Sequence, residues 1–241
     1  MDRPRLFLVP MWIDIEWSIR PQLEEWAEVA TWDPASTWLE QGEPELTRHW
    51  LVNQGLAELD RLGWDDAILA SDAFGNSTSA RIAGARPEIV RGLAHGHASL
   101  SWDTEGERAP MNGELWAAMG QLLRTDYGNF IRSGLAQLTQ GSFGEDFADE
   151  MLERVPVTYV RGIWDLITRD HEPIGELLSQ LDCRLLFVKH DGCLMFPDEG
   201  FDDATSAFPR ASLASTGLAP SADPAYATAL ESFAQELGTE S

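Results

Sequence analysis

The chain has 241 residues, a formal charge of −23, 44% apolar residues and 24% charged ones, which describes one globular domain with an ample core. The acidic excess excludes nucleic acid and anionic membrane surfaces as expected partners, because both would be repelled. No run approaches the ~20 apolar residues that cross a bilayer. The apolar start ends too soon, at Asp14 and Glu16, to read as a secretory signal, so a cytoplasmic location is expected.

In chain order, short apolar runs alternate with amphipathic stretches, the pattern of parallel strands joined by helices. A strand is predicted over Leu6–Pro10, a helix start at Pro21 and a second strand near Val29–Trp32. A helix spans about Glu45–Leu62, with Leu46, Trp50, Leu51, Leu56 and Leu59 at helical spacing. The strand AILAS, a helix over Ser77–Ala85 and a strand over Val90–His95 follow. Residues 104–180 then read as several helices without a convincing strand. Strand character returns at RLLFVK, followed by a helix near Asp198–Ala207, a short strand near Ala211–Ser215 and a last helix over Asp223–Leu237. The expected architecture is α/β: an open, mostly parallel sheet with helices on both faces. Residues 1–100 and 181–241 would form the core, with 101–180 inserted as a helical lid.

Cys183 and Cys193 flank RLLFVK, and an extended strand of that length holds its ends about 20 Å apart, too far for a disulfide. Without clustered histidines the two thiols are not expected to hold zinc. No metal and no cofactor are expected.

The segment ILASDAFGNSTSARIAGARPEIVRGLAH resembles the nucleophile elbow of the α/β-hydrolase superfamily with the helix and strand that follow it. In that family a strand ends in G-x-S-x-G, and a proline commonly lies fourteen residues beyond the nucleophile. Counting back from Pro87 reaches Ala73, with Gly75 on the second glycine and Ser71 in place of the first. LVPMW is similar to the first strand and its oxyanion loop. Trp32-Asp33-Pro34 falls at a family turn whose glycines are missing here. RLLFVKHDGCLMFP resembles the acid-bearing strand, with Asp191 as the match. FPRASLASTGL resembles the last strand, with Leu218 where the histidine belongs.

The resemblance therefore implies a family member without its Ser-His-acid triad. Ala73 offers a methyl group, Leu218 offers no base, and no histidine follows His190. Backbone amides of Met11 and Phe74 are the expected remnant of an oxyanion hole. Asp72, His95, Asp103 and Asp191 are the candidates for a displaced acid–base site, since His95 and His97 end a strand on the side where such folds build their sites. Trp12, Ala73, His97, Trp116 and Leu218 are expected around a pocket under the aromatic-rich lid. The expected partner is an apolar or aromatic small molecule, bound by a sensor or by a catalyst of cyclisation, isomerisation or elimination. The alternative is a hydrolase or lyase rebuilt on Asp72, His95, Asp103 or Asp191.

Overall fold

A computed structural model of the chain describes residues 3–12, 14–100, 113–136, 139, 141–169, 174–196 and 198–239. Its centre is a parallel sheet of β1 (Arg5–Val9), β2 (Glu28–Ala30), β3 (Ala67–Asp72), β4 (Val90–Gly96), β5 (Arg184–His190) and β6 (Ser212–Thr216), in the order β2-β1-β3-β4-β5-β6. The inner strands are apolar on both faces, as a parallel sheet covered by helices on both sides requires. Alternation divides them: Phe7, Val9, Leu69 and Phe187 enter one core, and Leu6, Leu8, Ile68 and Val188 the other. The first core is covered by α3 (Arg48–Leu62) and α4 (Gly75–Ala85), and the second by α1 (Arg20–Leu23) and α10 (Pro224–Thr239).

The strand limits match the sequence expectation to within a few residues. One helix was not anticipated, α2 (Pro34–Glu40). Asp33 caps it by accepting the Ser36 amide at 3.0 Å, and Pro34 stands at its first turn. These are strong helix-start features. The predicted helix at Glu45 begins three residues later at Arg48, because the Thr47 hydroxyl caps it through the Trp50 amide at 3.0 Å.

Between β4 and β5 the described residues are helical or irregular. They include α5 (Gly113–Thr125), a π-helical turn at Phe130–Leu135, α6 (Glu145–Arg154), α7 (Val157–Arg169) and α8 (Gly175–Ser179); α9 (Asp198–Ala207) follows β5. This insertion shares a third core with the carboxyl ends of the strands, through Trp12, Trp116, Phe130, Met151, Tyr159 and Trp164. The Trp116 and Trp164 rings stack at 3.7 Å. Arg154 of α6 ties it down by pairing with Asp14 and Asp33 at 2.7 Å each, one from the loop after β1 and the other from the cap of α2. Among the described residues no helix is long and apolar enough to cross a membrane.

Candidate functional site

The strongest local constraint lies at the turn from β3 into α4. Ala73 has φ +47°, a left-handed conformation that costs a side-chain-bearing residue roughly 1–2 kcal/mol. The following Phe74 leads directly into α4, and Gly75 packs so tightly that a Cβ there would lie 2.7 Å from the Val9 carbonyl oxygen. A strained residue between a buried strand and a helix is the geometry that aims a nucleophile out of a sheet. That geometry is present here, and the residue at the turn is an alanine.

Ala73 borders a cavity of about 90 Å³. Its apolar walls are Met11, Trp12 and Ala219 from the sheet side and Leu135, Phe143 and Phe147 from the helical insertion. Among the described residues the polar ones around it are Glu16, Asp72, His97, Thr139 and Ser221, and each is engaged inside the protein. Glu16 accepts the Met11 amide at 2.5 Å and the Trp12 amide at 3.1 Å. Thr139 donates its hydroxyl to the Leu135 carbonyl at 2.8 Å. Ser221 gives Asp72 its amide at 3.0 Å and its hydroxyl as well. Of the two amides expected to form an oxyanion hole, that of Met11 is therefore already saturated by a carboxylate. The Phe74 ring packs edge-on against Trp116 and Phe196.

Asp72 and His97 form the electrostatic centre. Asp72 Oδ1 lies 2.6 Å from His97 Nδ1, and both side chains are buried. Burial alone would raise the Asp72 pKa, but the His97 charge and the hydrogen bonds from His97 and Ser221 hold it below the usual carboxylate range. Burial likewise works against a charged His97, and the Asp72 carboxylate overrides it, raising the imidazole to about 10. The pair is a buried ion pair.

On its other side His97 Nε2 lies 2.8 Å from Nδ1 of His190, the last residue of β5. Cys193, in the loop that follows, completes the group: its sulfur and the two imidazoles offer donor atoms all within 4.8 Å of one another. Burial would raise that thiol, yet hydrogen bonds from His190 and His97 and the His97 charge bring it down to about 6. The ring of His190 is buried, and its Nε2 has no partner among the described residues. The premise of the sequence argument against a metal, that no histidines cluster with the thiols, is overturned by this arrangement. Cys183 stands at the opposite end of β5 and both cysteines are free, as expected.

The other candidates disperse. His95, two residues before His97 on β4, is turned into the core, where it bonds the Ser79 hydroxyl at 3.0 Å. Burial drives its pKa down to about 3, so it is a neutral structural group. Asp191 is exposed and pairs with Lys189 at 3.4 Å, away from the cavity. Leu218 is 38% exposed, and its amide is held by Asp223 at 2.9 Å; Ala219 and Ser221 are the residues after β6 that border the cavity among those described. Trp12, Ala73 and His97 border the cavity, and Trp116 backs Phe74. Asp103 lies outside the described residues. Sequence reasoning assigned Glu16 no role, rejected Cys193 as a metal ligand and placed His190 no closer than the pocket rim.

No family model matches the sequence, and no curated protein matches it significantly. Solved structures do resemble it. A bromoperoxidase from Bacillus anthracis superposes with a TM-score of 0.78 at 11% identity, over 99% of this chain and 92% of that one. A hydrolase from Oleispira antarctica gives 0.75 at 11%, over 98% and 91%. A haloalkane dehalogenase loop variant from Bradyrhizobium elkanii gives 0.73 at 16%, over 99% and 91%. At such identities the likeness establishes a fold only, and that fold is the α/β-hydrolase fold.

Proposed function

We propose that this α/β-hydrolase-fold protein binds a small apolar molecule, or the apolar end of a larger one, beneath a helical lid, and that it performs no serine-type hydrolysis. In this reading residues 101–180 are the lid over a core formed by 1–100 and 181–241. The observation that carries it is the cavity itself: Ala73 occupies the strained elbow, and among the described residues each polar one around the space is already bonded within the protein. A ligand then meets apolar walls and gains little from hydrogen bonding, so its binding rests on buried apolar area. Cyclisation, isomerisation and elimination each need a free acid or base facing the substrate. The saturated rim therefore favours binding or sensing over catalysis.

Size narrows the ligand. Apolar cavities of about 150 Å³ take a benzene ring, so a space of about 90 Å³ suits a short branched alkyl group. A bulkier ligand requires Leu135, Phe143 or Phe147 to move. The test is a thermal-shift titration with short branched alkanes and alcohols and with benzene, on the wild type and on Ala73→Leu, whose added carbons fill the cavity floor. A ligand at 100 times its dissociation constant adds about 2.7 kcal/mol, a rise of about 5–10 °C for a chain of this length. That rise is expected in the wild type and not in the variant. Equal shifts in both proteins, or none in either, would contradict the proposal.

A further inference from the structure

We infer that His97, His190 and Cys193 form a site for one borderline-soft divalent cation of the zinc type, set behind the apolar cavity and held in place by Asp72. The donor set comes first. Two imidazole nitrogens and a sulfur converge within 4.8 Å of one another from the ends of two adjacent strands and the loop between β5 and α9. Two nitrogens with one thiolate suit zinc and neighbouring late transition metals, and disfavour magnesium and calcium, which take oxygen ligands. Three protein donors complete all but one position of a tetrahedron, leaving the fourth for an exogenous ligand.

The surroundings support the same assignment independently of the donors. A histidine that ligates a metal commonly donates its other ring nitrogen to a carboxylate, which fixes the ring and raises its basicity. His97 has that partner: its Nδ1 is held by Asp72 Oδ1 at 2.6 Å, and Asp72 Oδ2 is in turn anchored by the Ser221 amide. The close approach of Asp72 is built into the backbone, since a Cβ on Gly96 would lie 2.9 Å from Asp72 Oδ1 and 2.7 Å from Pro220 Cβ. His97 Nε2 is thus directed at His190 Nδ1, 2.8 Å away. Two nitrogens bound to one tetrahedral zinc stand about 3.3 Å apart, so a small rotation of either ring admits the ion.

The experiment uses the full-length protein carrying no histidine tag, stripped with a chelator and titrated with zinc and then with cobalt(II). One equivalent is expected to bind, and the cobalt form is expected to show the near-ultraviolet thiolate-to-metal charge-transfer band. Cys193→Ser should abolish that band while Cys183→Ser keeps it, and Asp72→Asn should weaken binding about 10–100-fold. Circular dichroism of each stripped variant identifies any that fails to fold. For that case a second readout uses the wild type alone: zinc should protect Cys193, and not Cys183, from alkylation by iodoacetamide. Absence of a stoichiometric site, a band that survives Cys193→Ser, or alkylation of Cys193 unchanged by zinc would each overturn the inference.

Discussion

The two ends of the sheet use polar groups in opposite ways. At the amino ends of β4 and β5 lies the larger space, an open groove of about 730 Å³ bordered by Glu88, Arg91, Asp182 and Arg184. Its charges pair over exposed surface: Arg86 meets Asp60 and Glu88, and Arg184 meets Glu236. At the carboxyl ends the cavity is about eightfold smaller, yet Asp72, His97 and His190 are buried there and bond one another. Open α/β sheets place their ligands at the carboxyl ends, and here the enclosed charges mark that end while cavity size points to the other.

The sharpest way to break this comparison is to delete one carboxylate at each end. Asp72→Ala leaves a buried imidazole and the Ser221 amide without their acceptor, and removing one member of a buried pair costs about 3–5 kcal/mol. Asp60→Ala removes an exposed carboxylate paired with the half-buried Arg86 at the other end and is expected to leave the urea midpoint unchanged within error. Comparable losses from the two variants would remove the distinction between the ends.

The cysteines at the two ends of β5 offer the next contrast. Cys193 is brought down to about 6 by its histidines, whereas burial pushes Cys183 up to about 11. At neutral pH the first is mostly thiolate and the second almost entirely thiol. The lower intrinsic nucleophilicity of an acidic thiolate offsets part of that advantage, which leaves alkylation of metal-free protein about a hundredfold faster at Cys193. Peptide mapping after timed iodoacetamide treatment reads the ratio, and equal labelling would show that the histidines do not stabilise the thiolate.

A smaller effect tests the strain at the elbow. Ala73→Gly relieves a left-handed backbone, while Ala80→Gly in the buried middle of α4 loosens a helix by about 1 kcal/mol. The first variant is expected to be neutral or slightly more stable and the second less stable, a difference of about 1–2 kcal/mol by denaturant titration. Equal destabilisation would mean that position 73 holds no strain.

How much of this was legible in the sequence depends on the range of the interactions. The sheet was readable because buried parallel strands are continuous apolar runs, such as LFLV and RLLFV, between helices of the right length. The elbow was readable from the spacing between Ala73 and Pro87, and its φ of +47° agrees with that reading. Helix α2 has a legible signal in Asp33-Pro34, a cap followed by a first-turn proline, although the family resemblance assigns the segment to a turn. The polar group was not legible. Asp72 is 25 residues from His97, and His97 is 93 from His190, so no local motif contains them. Strand alternation alone would put His95 and His97 on one face, and their separation arises because His97 lies just beyond the end of β4 with φ +49°. The loss of the Met11 amide to Glu16 depends on a turn at Asp14–Glu16 that has no apolar periodicity.

The measurement that most directly tests the central claim, a cavity that binds rather than hydrolyses, places a hydroxyl at the elbow and looks for acylation. Ala73→Ser is treated with an activated aryl ester and followed by burst kinetics and intact-protein mass spectrometry beside the wild type. Both nitrogens of His97 are engaged, by Asp72 and His190, and His95 faces the core, so neither histidine offers a free nitrogen to the introduced hydroxyl. The account predicts no burst and no acyl adduct at position 73. A stoichiometric burst with an adduct mapped to that position would contradict it, because a working base would then stand beside the elbow.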